Sequence, residues 1–172
     1  LAQYNPDLAK NQMRAMFDYQ EPNGFIPDCI YRDTLIEPNN YRNTKSPLAA
    51  WAVWEIYKQN KDVNFIKEFY PKLKNYHTWW YKERDHDQDG LCEFGSTDGT
   101  LVAGKWESGM DNAVRFDNSK ILKNGEQAYS LDQESVDLNS FLYAEKNYLA
   151  KMAKVLKLVN ENGYTVEDAT AE

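Results

Sequence analysis

The chain has 172 residues, of which 42% are apolar and 27% charged, with a formal net charge of −7. It is long enough for one domain with its own core, and too hydrophobic for a disordered tail. The acidic balance, with no basic stripe, excludes a nucleic-acid surface, and no run of about 18 apolar residues exists to cross a bilayer. Aromatics make up 14%, with five Trp and twelve Tyr. That excess fits either a well-packed core or a groove that stacks flat ligands.

Taken in chain order, the elements are helical. Asn5-Pro6 opens the first helix with a capping side chain and a ring of preset φ, and the pattern runs to about Tyr19, where Glu21-Pro22-Asn23-Gly24 stops it. Ser46-Pro47 repeats that entry ahead of PLAAWAVWEIYKQN. Leu48, Trp51, Ala52, Val53, Trp54 and Ile56 cover most of its circumference and predict packing on more than one side. Asp62 opens a short helix through Phe69, and Pro71 opens a separate one over PKLKNYHTWWYKER. The longest helix spans about Gln133 to Val159, with Leu138, Leu142, Leu149, Met152, Leu156 and Val159 on one face. Asn162-Gly163 ends it, and TVEDATAE reads as the first turns of another helix.

Between these helices lie long loops, 21–46, 85–106 and 112–130, which carry Trp, Arg, Lys and carboxylates and are read as functional. Strand signals hardly occur, and no internal repeat or domain boundary is visible. Helix pairs with elaborate loops on one side describe a helical toroid. The start LAQYNPDLAK has no initiating Met and none of the regions of a secretion signal, so the chain is read as a piece of a longer protein. Cys29 and Cys92 pair only in an oxidising compartment with suitable geometry, and otherwise are two free thiols.

Two loops carry candidate chemistry. RDHDQDGLCEFG sets Asp85, Asp87 and Asp89 at alternate positions before Gly90, so three carboxylates can wrap one hard cation, with the Leu91 carbonyl falling where a calcium loop supplies its next oxygen. The bidentate Glu that should follow is replaced by Ser96. The loop is therefore either a calcium site that borrows a carboxylate, from Glu93 or from a distant Glu134, or an acidic turn. In GKWESGMDNAVRFD, Asp111 has Trp106 and Phe116 close in sequence, and burial beside aromatics is how a carboxyl stays protonated to serve as a proton donor. Arg115 is placed to balance Glu107 or Asp117. Sugar hydrolysis uses two such carboxyl groups, one protonating the leaving oxygen and the other activating water or attacking directly.

WESGMDNAVRFD resembles the signature of glycoside hydrolase family 63. NPDLAKNQMRAMFDYQEPNGFIPD, RNTKSPLAAWAVWEIY, FYPKLKNYHTWWYKERDHDQDG and YSLDQESVDLNSFLYAEKNYLAKMA are similar to its bacterial α-glucosidase-like branch, in the family's order. The resemblance implies an all-α fold, an (α/α)6 toroid, of which residues 1–172 form the N-terminal part of the catalytic domain as a partial barrel of helical hairpins. It implies inverting hydrolysis of α-glucosidic bonds in oligosaccharides or small glucosides, with Asp111 as general acid. Asp85, Asp87, Asp89, the Leu91 carbonyl and Glu134 would hold a structural Ca²⁺, and Lys45 and Trp106 would lie near the sugar, with Glu107 counted among the substrate-binding residues.

Lys45 reads equally as a solvated charge at a helix start, Trp106 as core, and Glu107 as a support for the site or a loop ion pair. The family's general base is a Glu beyond this chain, so the 172 residues alone should be inactive. Their apolar helix faces should be covered by the rest of the barrel or by self-association. By resemblance alone, a periplasmic or secreted bacterial location is preferred to a cytoplasmic one. The alternative is a non-catalytic domain, either a calcium-dependent carbohydrate-binding module or a helical scaffold.

Overall fold

The structure, a computed structural model, describes residues 1–158. Asn5 accepts the Leu8 amide at 3.0 Å and Pro6 follows it, so the first helix, α1, runs Pro6–Phe17 from the predicted cap. The second, α2, is Ala49–Asn60, two residues later than Pro47, and has no side-chain cap of its own. Its buried side chains are Ala50, Val53 and Ile56, and it packs against three other helices, as its broad apolar face predicts. Trp51 remains 47% exposed on the far side, in a groove with Ala2, Met13 and Ala52.

The two helices expected on either side of Pro71 are one, α3, Val63–Glu83. Asp62 caps it through the amides of Asn64 and Phe65. Pro71 is exposed, so the Lys67 carbonyl that loses its donor lies on the solvent side, where water can replace the bond. Phe65, Ile66, Phe69, Leu73, Tyr76, Trp79 and Trp80 are all buried along the other face, and their burial outweighs the local break.

A short helix, α4 (Leu101–Glu107), and a three-residue 3₁₀ turn at Val114–Phe116 interrupt loops expected to be irregular. So does a small antiparallel sheet of β1 (Gly95–Ser96), β2 (Ile121–Lys123) and β3 (Tyr129–Leu131), in the order β1-β3-β2. Ser130 at its centre faces Gly95 on one side and Leu122 on the other. The last described helix, α5, is Val136–Val155. Val159, Asn162-Gly163 and TVEDATAE lie outside the described residues.

The face of α5 holds Leu138, Leu142, Leu149 and Met152 in the core, and Leu156 is half-buried. At the middle of that stripe stands Glu145, which is fully buried and meets His77 Nδ1 of α3 at 2.7 Å. Burial pushes the Glu145 carboxyl up, while His77 and the Ala50 amide at the start of α2 favour its charged form. A carboxylate from α5 thus stands at the amide end of α2, which lacks a cap of its own. The aromatic core holds two groups of rings in contact. Phe69 meets Phe65 at 4.6 Å and Phe17 at 5.3 Å, and Trp79 meets Phe25 at 5.2 Å and Trp80 at 5.3 Å.

Two ion pairs lock α1 onto the start of α3. Lys10 reaches Asp62 at 2.7 Å, and Arg14 grips both oxygens of Glu68 at 2.9 and 2.8 Å. Lys10 holds the Asp62 carboxyl below its usual range, and Arg14 does the same for Glu68. Carboxyls depressed by folding contribute stability above their unfolded value of about 4 and lose it as the pH falls through the lower folded value. Glu145 has the opposite sign, since its raised carboxyl gains a proton more readily in the folded chain. On acidification, the protection factors of amide hydrogen exchange should therefore fall in α1 before α5. Equal loss of protection in the two helices would contradict this assignment.

Candidate active site

The loops between α1 and α2 and between α3 and α5 meet at a buried ion pair. Arg84, at the end of α3, donates from Nε and Nη2 to the two oxygens of Glu107, the last residue of α4, at 2.8 and 3.0 Å. The same carboxylate accepts the Gly95 amide of β1 at 2.6 Å and the Thr44 amide at 3.1 Å. The Arg84 guanidinium lies 4.6 Å from the centre of the Trp79 ring. Neither charged side chain is exposed to solvent. Gly95 tolerates no side chain, because a Cβ there would fall 1.9 Å from the Tyr129 carbonyl oxygen. Glu107 is therefore one half of a buried ion pair, and its oxygens are directed to four protein donors.

Beside this frame, Lys45 forms an ion pair with Asp28, whose other oxygen accepts from Asn40 at 3.1 Å. The Tyr76 hydroxyl bonds to the Lys45 carbonyl and lies 3.1 Å from the Thr44 hydroxyl, and burial pushes the Tyr76 phenol far above its usual range. Lys45, Thr44, Tyr76, Glu107 and Gly109 line one cavity of about 400 Å³, whose remaining wall is mostly apolar, including Met16 and Phe17 of α1. Trp106 is 41% exposed, with the Arg42 guanidinium 5.4 Å from its ring centre, and Arg42 is in turn fixed by Asp98 and Thr100. Trp106 is thus an aromatic plate with a cation behind it and not a core residue.

Asp111 lies in the turn that follows α4, just past Gly109 at the cavity wall. It is half-buried, and among the described residues no hydrogen bond or ion pair engages its side chain. Phe116 is fully buried beneath the same loop. Arg115 does not balance Glu107 or Asp117. It makes a two-pronged pair with Asp137 in the first turn of α5, at 3.0 and 2.8 Å, because the 3₁₀ turn at Val114–Phe116 aims it there.

The acidic loop closes on itself. Asp85 accepts the amides of Asp89 and Gly90, each at 3.1 Å, and Asp89 accepts the Leu91 amide at 2.8 Å. Gln88 and Gly90 have φ of 61° and 92°, the sharp left-handed turn that such a loop needs. One oxygen from each of Asp85, Asp87 and Asp89 lies within 4.8 Å of the others. Leu91 and Glu134 line a common cavity at the start of α5, and Asn139 ties the Cys92 amide and carbonyl to that helix, both at 2.9 Å. The three aspartates fit an oxygen-seeking cation, and among the described residues Glu134 is not part of their cluster. Cys29 and Cys92 are free thiols, one half-exposed and one buried.

The family model of the mannosylglycerate hydrolase MGH1-like glycoside hydrolase domain matches residues 1–171. The chain belongs to this family. It is similar to a mannosylglycerate hydrolase of Thermus thermophilus, with 27% identity over 64% of this chain and 30% of that protein. It superposes on the crystal structure of a Thermus thermophilus family 63 mannosylglycerate hydrolase in complex with Tris and D-glycerate, with a TM-score of 0.65 and 20% identity over 90% of this chain and 50% of that one. The same enzyme in complex with glucose gives a TM-score of 0.59 and 18% identity over 91% and 49%.

The resemblance to family 63 holds, and the fold is that of a partial helical toroid. These relatives carry the name of mannosylglycerate hydrolases and not of α-glucosidases. The chain spans about half the length of these solved chains and less of the curated relative.

Several members of the site carry no signal of their own in the sequence. Arg84 precedes an acidic run and reads as a solvated charge, and only its burial against Trp79 and Glu107 reveals its part. Asp28, Arg42 and Tyr76 lie far in sequence from the partners they hold.

Proposed function

We propose that the intact protein is an inverting glycoside hydrolase in which Asp111 protonates the leaving oxygen of an α-linked small glycoside. The observation that carries this reading is the half-buried Asp111 carboxyl, free of protein partners among the described residues, in a turn anchored by a fully bonded Arg84–Glu107 pair. Trp106, backed by Arg42, offers a flat face of the kind on which a sugar ring rests. Lys45, held by Asp28 on the cavity wall, is the cation available to a polar or anionic aglycone.

The second carboxyl is a glutamate in the part of the barrel that this chain does not include, about 6.5–9.5 Å from the first with a water between them. The 172 residues alone are then inactive, and the rest of the barrel covers their apolar faces. Asp85, Asp87 and Asp89, with the Leu91 carbonyl and Glu134, would hold Ca²⁺, which supplies positive charge that draws the acidic loop and the start of α5 together.

The relatives' name favours mannosylglycerate as substrate. An α-glucoside is the second reading, favoured by the fold's likeness to a relative solved with glucose. The test is proton NMR of the intact protein turning over mannosylglycerate and a panel of α-glucosides. The reading requires the first-formed sugar to be the β-anomer. An α-anomer would show retention and remove the inverting mechanism, and no turnover of any member of the panel would favour the non-catalytic alternatives.

A further inference from the structure

The acidic loop carries a second set of donors that overlaps the first at Asp87. The imidazole of His86 and the carboxylates of Asp87 and Glu93 each place one ligand atom within 4.8 Å of the others. Glu93 is fully buried. Its Oε2 accepts the His86 amide at 3.2 Å and lies 3.1 Å from His86 Nδ1, while its Oε1 has no hydrogen-bond partner. An unpaired carboxylate oxygen in the interior costs free energy unless a positive charge meets it. Asp87 is exposed and His86 half-exposed, so this corner of the loop opens to solvent and a cation can enter.

We propose that His86, Asp87 and Glu93 form a second cation site that takes a divalent transition ion, Zn²⁺ being the natural probe, in preference to Ca²⁺. The chemistry of the donors sets the preference. Calcium takes oxygen ligands throughout, and an imidazole nitrogen gives it little, whereas zinc binds imidazole and carboxylate together. One nitrogen, two carboxylates and a solvent-facing side match the ligand count of an open zinc site. Asp87 belongs to both sets, so the two sites are neighbours in one loop, one of oxygens alone and one of mixed donors. Glu93 leads directly into Phe94 and β1, so an ion held there ties the loop to the strand whose Gly95 amide supports Glu107. The site does not depend on sugar hydrolysis.

The test is calorimetry of the metal-stripped intact protein with Zn²⁺ alone and with Ca²⁺ alone, in a Cys29→Ser background that removes the half-exposed thiol. His86→Gln should weaken Zn²⁺ binding by about tenfold or more and leave Ca²⁺ binding unchanged. Asp89→Asn should do the reverse, and Glu93→Gln should follow His86→Gln. Should Glu93→Gln fail to fold, His86→Gln decides alone, because its ring reaches the surface. Unchanged Zn²⁺ affinity in His86→Gln, or a parallel loss of both ions, would overturn the site.

Discussion

Asp111→Asn in the intact protein is expected to lower turnover of a natural glycoside by about a hundred- to ten-thousand-fold, the range by which a positioned proton donor accelerates such steps. The substitution keeps the size of the side chain and removes only its ability to give a proton to the leaving oxygen. Because the Asp111 carboxyl makes no hydrogen bond or ion pair among the described residues, its loss strips no partner from the fold, and the melting temperature should not move. Leaving-group chemistry separates proton donation from damage to the site. An aryl glycoside whose phenol departs without protonation needs no acid, so the variant should cleave it with a much smaller loss than the natural substrate. Equal losses on both substrates, or natural turnover left intact, would remove Asp111 from the role of general acid.

The parts of this molecule that sequence reveals are those whose cause is local. Asn5-Pro6 and Asp62 start their helices because a side chain next to the first turn satisfies the free amides there. The stripe from Leu138 to Met152 is legible from its period, and Asp85, Asp87 and Asp89 from their alternation before a glycine. What escapes has its cause far along the chain. Pro71 continues its helix because buried aromatics on the opposite face outweigh one missing hydrogen bond. Strands of two or three residues have no period to read, and β1 exists because Gly95 fits against Tyr129 with no side chain between. Glu145 breaks the apolar stripe of α5, and its reason is His77 on α3 and the uncapped start of α2. At the site, the signature that contains Glu107 and Asp111 is visible, but not the division between a carboxylate held in a buried ion pair and one without a protein partner among the described residues. That division depends on Arg84, which reads as one more surface charge until its burial is known.

The Arg84–Glu107 pair carries the second large effect, and its two halves should not be equivalent. Removing one member of a buried ion pair typically costs about 3–5 kcal/mol, since the survivor is left charged and unpaired in the interior. Set against a stability of roughly 0.05–0.15 kcal/mol per residue, that is a large share of what holds such a domain together. Arg84→Met leaves a carboxylate that still accepts the Gly95 and Thr44 amides, so part of its charge stays solvated by the backbone. Glu107→Leu leaves more undone. Both amides lose their acceptor, and the guanidinium keeps only the Glu83 carbonyl at 3.1 Å and the face of Trp79. Glu107→Leu should therefore be the more destabilising single change in denaturant unfolding of the intact protein. The double variant should cost less than the sum of the two, because the charge stranded by either single change is then absent. The amides of Gly95 and Thr44 meet at this carboxylate, and Lys45 and the Asp111 turn continue from the segments it ties. Loss of the pair should thus also loosen the cavity wall and raise KM for the glycoside in any variant that folds. Single variants that unfold at the wild-type denaturant concentration, or costs that simply add, would mean that the four segments are held together by packing alone.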